Sequence, residues 1–150
     1  MILSVILTPL FFFVFGLILV IFHPVQVIAR NVFGAKAHDK TVFALNFWLM
    51  KALHILGVSY AFHNFKKLPK DVPIIIISNH QSMWDIPTII WKFRAHRPKF
   101  VAKKELAKGI PSISYNLRNG GSVSIDRKDS KGAILKIKAF AKLVKENCFA

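Results

Sequence analysis

Residues 74–85 read Ile74-Ile75-Ile76-Ile77-Ser78-Asn79-His80-Gln81-Ser82-Met83-Trp84-Asp85, and their order decides the fold class. The isoleucine run after Pro73 is β-branched throughout and predicts a short buried strand. A polar cluster follows at once. Met83–Phe93 then reads as a helix, with Pro87 tolerated only in its first turn. Strand, polar turn and helix in succession form the unit of an α/β sheet, where ligands bind just beyond the carboxyl ends of strands. His80 is therefore expected on the turn and Asp85 in the first turn of the helix. The chain reverses between them, so the carboxylate can reach one imidazole nitrogen and leave the other facing a pocket. A carboxylate so placed fixes the tautomer and stabilises the imidazolium while the free nitrogen removes a proton. The same spacing also suits a helix cap, with Ser82 as N-cap and Asp85 at the third helical position. Spacing alone does not choose between the two. No serine or cysteine nucleophile is evident, so the proton would come from a substrate such as an alcohol attacking an activated acyl group.

Downstream, strands and helices continue to alternate. Lys99–Ala102 is a plausible second strand. Residues 104–119 read as short helical pieces broken by Gly109-Ile110-Pro111, and Gly120-Gly121 as a turn before a third strand, Ser122–Ile125. Ser130–Glu146 is predicted helical, with Ile134, Ile137, Ala141 and Val144 on one face and Lys136, Lys138, Lys142 and Lys145 largely off it.

Upstream, residues 1–22 carry no ionisable side chain, which is long enough for a membrane-spanning helix. No basic residue precedes the run and no small-residue cleavage site follows it, so a retained anchor is expected rather than a cleaved signal. Arg30, Lys36 and Lys40 follow it, which by the positive-inside tendency places residue 23 onward on the cytoplasmic face. Thr41–Phe62 is apolar but interrupted by Asn46, Lys51 and His54. Spanning is costly with Lys51 near the middle. A helix lying in the interface and a helix buried in a soluble domain both remain open. The expected division is 1–62 as membrane anchor and interfacial helices and 63–150 as an α/β domain.

The net charge of the 150-residue chain is +15, and residues 63–150 hold 18 Lys/Arg against 6 Asp/Glu. Such charge attracts nucleic acid, or anionic lipid and phosphate-bearing substrates. The apolar N-terminus favours an anionic membrane, and no nucleic-acid motif is present. Cys148 is the single cysteine, which excludes an internal disulfide and a multi-cysteine metal site. His23, His38, His54, His63 and His96 show no metal-ligand spacing. Neither a metal nor a cofactor is indicated.

Taken together, Asn79-His80-Gln81-Ser82-Met83-Trp84-Asp85, Val101-Ala102-Lys103-Lys104-Glu105-Leu106 and Gly121-Ser122-Val123-Ser124-Ile125-Asp126-Arg127 resemble the first motif, the V-A-K-x-x-L stretch and the second motif of the 1-acyl-sn-glycerol-3-phosphate (lysophosphatidic acid) acyltransferases. The resemblance is clear over residues 70–130. It implies a glycerolipid acyltransferase-like sheet with flanking helices behind an N-terminal membrane helix or helix pair. It also implies that His80 deprotonates the sn-2 hydroxyl of lysophosphatidic acid for attack on the thioester of acyl-CoA or acyl carrier protein, with Asp85 orienting His80. Arg127 would hold the substrate phosphate, and Lys103 and Lys104 would assist the phosphate or the donor, unless they face solvent or lipid.

Two departures stand out. Ser114 falls about where family members carry a glycine. The third motif, F-P-E-G-T-R, does not occur, so the sheet is expected to be incomplete and the chain to resemble the first half of such an enzyme. The alternative is a non-catalytic, truncated membrane-surface protein.

Overall fold

The computed structural model describes residues 2–63, 68–69, 72–147 and 149–150. Asp71, shortly before the isoleucine run, and Cys148 lie outside the described residues.

The apolar N-terminus forms one helix, α1 (Ile2–Phe33), with Pro9 and Pro24 inside it. It runs well past residue 22 because residues 23–29, apart from His23 and Gln26, stay apolar up to Arg30 in the last turn. It is the one helix among the described residues long and apolar enough to cross a membrane. Gly34 ends it with φ 81° and ψ −170°, a region essentially reserved for glycine. The chain then turns back as α2 (Ala35–Leu53). The return is antiparallel: Leu19 packs with Leu45 and Leu49, and Phe11 with Ala52 and Leu53.

This changes the reading of Thr41–Phe62. The helix begins at Ala35, ends at Leu53 and passes into a 3-10 turn, His54–Leu56. Its apolar face, including Val42, Leu45, Leu49 and Leu53, is buried, so protein rather than lipid covers it. Asn46 is buried as well and returns its amide Nδ2–H to the Val42 carbonyl at 2.7 Å.

The second half is helix-rich with a small parallel sheet. Its elements are α3 (Asp85–Lys92), β1 (Val101–Lys103), α4 (Ile113–Asn119), β2 (Val123–Ile125) and α5 (Ser130–Asn147). β1 and β2 pair in parallel with Val101 opposite Val123 and Lys103 opposite Ile125. Pro87 does fall in the first turn of α3. The basic helix α5 forms as expected, but no residue of it is fully buried. Ile134, Leu135 and Ile137 are exposed, while Phe140 and Val144 line a cleft beside Ile74–Ile77.

The expected strand at Ile74–Ile77 is not formed. The segment has no ladder partner among the described residues, and its burial alternates, with Ile75 86 % and Ile77 91 % exposed while Ile74 and Ile76 are half-buried. A strand buried on both faces needs cover on both sides, and here only one face has it. The inward side meets a cleft of about 430 Å³ that separates it from Pro98–Val101. The segment's backbone bonding among the described residues is confined to its start, where Ile74 N–H donates to Phe149 O at 3.2 Å; the next residue, Ala150, accepts the Lys99 N–H at 2.6 Å on the far side of the cleft.

Two joints fasten the helical hairpin to the rest. Asp39 of α2 accepts from Arg97 Nε at 2.5 Å and Lys99 Nζ at 2.8 Å, just before β1. At the start of α4, Ser112 has φ 61° and ψ −53°, with Ile113 N–H donating to Pro111 O at 2.6 Å. That is a γ-turn, strained for a non-glycine residue. The fully buried Ser112 hydroxyl donates to Leu19 O at 2.6 Å and its N–H to His23 Nδ1 at 3.1 Å, which seats α4 on α1. Ser114, where glycine is usual in the resembling family, is buried. Its hydroxyl accepts from Ile110 N–H at 3.0 Å and donates to Leu106 O at 2.9 Å.

Candidate active site

The turn 78–84 and the first residue of α3 build the site. Asp85 opens α3, and the buried Pro87 and Ile90 set that helix against its neighbours. Its Oδ2 accepts the backbone N–H groups of Gln81 and Ser82, both at 2.9 Å, and lies 3.1 Å from His80 Nδ1. The two backbone donors, and then His80, hold the Asp85 carboxyl below the usual carboxylate range. An ionised carboxylate only accepts hydrogen bonds, so the His80 proton sits on Nδ1 and Nε2 carries the free lone pair. His80 is exposed, and Nε2 has no hydrogen-bond partner among the described residues.

The reach-back half of the expected capping box does form, ahead of α3: the Asp85 carboxylate accepts the Ser82 N–H at 2.9 Å. Trp84 is the N-cap residue of α3, with no side-chain cap, and Ser82 Oγ accepts the Trp84 N–H within the turn at 3.3 Å. The same carboxylate oxygen also takes the Gln81 N–H and reaches the imidazole, so one group caps the turn and orients the histidine.

Two hollows meet at this turn. His80 is on the lip of the apolar cleft lined by Ile74–Ile77, Ile86 and Val101. A second groove of about 550 Å³, lined among others by Leu53, Tyr60, Asn79, Ser82 and Asp85, lies between the turn and the end of α2. Trp84 packs edge-on against Phe11 and Phe15 of α1, with centroids 5.1 and 5.3 Å away. The turn is thereby held on the apolar helix.

The expected phosphate-binding cations sit elsewhere in the fold, at the carboxyl ends of the two strands. Lys103 ends β1 and is exposed. Lys104 follows it and pairs with Asp126. Arg127, after β2, is exposed and makes no hydrogen bond or ion pair among the described residues. No such bond joins these cations to His80 or Asp85 among the described residues. Sequence reasoning missed three residues here. Asp126 stands inside the I-D-R segment among cations, which was a usable signal. Trp84 is an aromatic side chain in a polar turn. Asp39 is the one acid in residues 1–62, but its partners are 58 and 60 residues away. Among the described residues no group of three or more His, Cys, Asp or Glu is placed to hold a metal ion.

The family model described as Acyltransferase matches residues 59–149, more than half of the chain and the whole of this site. The chain belongs to the acyltransferase family. As a member of it, the chain is 36 % identical over 76 residues to the 1-acyl-sn-glycerol-3-phosphate acyltransferase of Helicobacter pylori (strain J99). That match takes in 49 % of this acyltransferase-family chain and 30 % of the relative. The chain therefore spans about 30 % of the length of the curated relative it matches. No solved structure matches it.

Proposed function

We propose that this chain carries the acid–base machinery for acyl transfer from a thioester, acyl-CoA or acyl carrier protein, to the sn-2 hydroxyl of lysophosphatidic acid, yielding phosphatidic acid. The observation that carries the reading is the 3.1 Å contact between His80 Nδ1 and the ionised Asp85 carboxylate. It leaves Nε2 free to take the proton of an attacking hydroxyl, a role that contributes about 10²–10⁴-fold in rate. As the oxygen attacks the thioester carbon, Asp85 stabilises the imidazolium, and the proton then passes to the departing thiolate. Family membership and the named activity of the Helicobacter pylori relative support acyl transfer as the reaction class. Arg127 is assigned to the acceptor's phosphate, because it makes no ion pair among the described residues and its planar fork suits two phosphate oxygens. Lys103 and Lys104 stand at the same strand ends.

A membrane location on the cytoplasmic side goes with this reading. One side of α1 is covered by α2, Trp84 and the start of α4. The other leaves Phe12, Phe13, Leu17, Val20, Ile21 and Ile28 exposed. An apolar stripe of that kind, with Arg30, Lys36 and Lys40 at the hairpin's bend, suits an anionic leaflet.

The test is turnover by the chain in isolated membranes, followed as thiol release from acyl-CoA with lysophosphatidic acid as acceptor. Loss of at least about 10²-fold in His80→Ala is expected. A His80→Ala protein as active as the parent would sink the assignment.

A further inference from the structure

The parallel register that sets Lys103 opposite Ile125 brings the next residues of each strand, Lys104 and Asp126, face to face. Asp126 Oδ2 takes the Lys104 ammonium, and its Oδ1 accepts the Lys128 N–H at 2.9 Å. The second contact is an Asx turn, which clamps the carboxylate from its own side of the sheet. Each partner shifts the other in the sense of a true ion pair: Asp126 holds the Lys104 ammonium above its ordinary value, and Lys104, then the Lys128 N–H, hold Asp126 below the usual carboxylate range. The pair is solvent-accessible, with the Lys104 side chain 56 % and the Asp126 side chain 29 % exposed. A carboxylate uses one of the three donors of an ammonium. Two N–H groups of Lys104 remain for an incoming anion, on the strand ends that also carry Arg127.

We infer that Asp126 is a positioning residue for the acceptor: it holds Lys104 at the carboxyl ends of β1 and β2, beside Arg127, so that a phosphate-bearing molecule meets cations whose spacing is already set. The inference rests on the reading of Arg127 and His80 given above. A lone exposed lysine on its four-carbon stem loses rotamer freedom when it binds. Here the fold has already removed it. Three carboxylates act on Lys104, those of Asp126, Glu105 and Asp129, against the cations Lys103, Lys104, Arg127, Lys128 and Lys136, so the edge stays cationic and the phosphate is still attracted while an acceptor without phosphate gains nothing.

Asp126→Asn is a clean probe, since the amide oxygen can keep the Lys128 N–H while the charge is lost. In membranes holding the full chain, the variant is expected to raise KM for lysophosphatidic acid about tenfold, the scale of one charge-assisted hydrogen bond. Its kcat should stay close to the parent's, and KM for a 1-acylglycerol acceptor lacking phosphate should not move. Lys104→Met should raise KM similarly, the double variant should be no worse than either single one, and Asp126→Glu should restore binding. An unchanged KM in Asp126→Asn, or effects of the two substitutions that multiply, would overturn the inference. Failure of the parent chain to turn over lysophosphatidic acid would instead strike the functional reading. The positioning is then decided without activity, by amine labelling followed by peptide mass spectrometry with inorganic phosphate as probe. Lys104 should label more slowly than Lys103 in the parent, faster in Asp126→Asn, and be protected by phosphate in the parent only. Equal labelling of Lys104 in both proteins would overturn it.

Discussion

Trp84 meets Phe11 edge to face, with ring centroids 5.1 Å apart and planes at 76°, so the turn that carries His80 and Asp85 is fastened to the apolar helix α1. Phe15 adds a second edge contact at 5.3 Å. The segment Ile74–Ile77 that leads into this turn has no sheet partner among the described residues, so the aromatic contact supplies fixation that a ladder would otherwise give.

Trp84→Ala should therefore lower stability by about 1–3 kcal/mol, at about 0.5–1.5 kcal/mol for each aromatic pair. It should also make the 78–84 turn more accessible to protease. Trp84→Phe should recover most of both. Thermal melts in detergent and limited proteolysis measure this, and a Trp84→Ala protein with parental melting and cleavage would show that the contact does not hold the turn.

Asp85→Asn keeps one acceptor for the turn but removes the charge that stabilises an imidazolium. Turnover with lysophosphatidic acid should fall by at least about tenfold, while melting changes little. Asp85→Ala also strips the Gln81 and Ser82 N–H groups of their acceptor, so it should lose stability as well as rate. Comparing the two variants' melts with their turnover separates orientation from loop support.

The Asp39 carboxylate, with its side chain 8 % exposed, serves both Arg97 and the buried Lys99. Removing it leaves both cations without their counter-ion, with only the face of Phe149 beside them, which costs about 3–5 kcal/mol. Burial already lowers the Lys99 ammonium below its ordinary value, so part of that cost is relieved by loss of its proton. Asp39→Asn should thus melt well below the parent, and Asp39→Leu combined with Lys99→Met should recover much of the loss. Denaturant titrations of the three proteins check the order.

His38 is 1 % exposed and its Nε2 has no hydrogen-bond partner among the described residues. Burial lowers its pKa below the ordinary 6.5, so as pH falls past that value the unfolded chain takes the proton first. Stability from this group is full above about pH 6.5 and is lost on acidification towards the lowered folded value. Melting of the parent should drop between about pH 7.5 and 5.5 more steeply than that of His38→Gln. Equal slopes would show that His38 is not what titrates.

The order of elements was legible because each rests on short-range chemistry. Pro87 in a first turn, Gly109-Ile110-Pro111 as a break, Gly120-Gly121 before a strand and the lysine-rich α5 are all local decisions. The His80–Asp85 contact was legible for the same reason, since five residues around one turn suffice to close it. What failed was Ile74–Ile77, because β-branching describes a residue's fitness for a sheet and not the presence of a neighbouring strand. The length of α1 and the limits of α2 were misplaced too, since Gly34 divides them and α2 opens on the polar residues Lys36, His38, Asp39 and Lys40, which hydropathy alone reads as a linker.

By itself, then, the amino-acid sequence determined the apolar N-terminus, the alternation of strands and helices, and the pairing of a histidine with the acid five residues on. Only the tertiary structure decided that α2 returns along α1, that Asp39 reaches across to Arg97 and Lys99, and that Asp126 takes Lys104 rather than its neighbour Arg127. The reason is physical. Backbone preference and hydrophobic period act over one or two turns, whereas an ion pair or a seated tryptophan depends on which distant segments packing brings within a few ångströms.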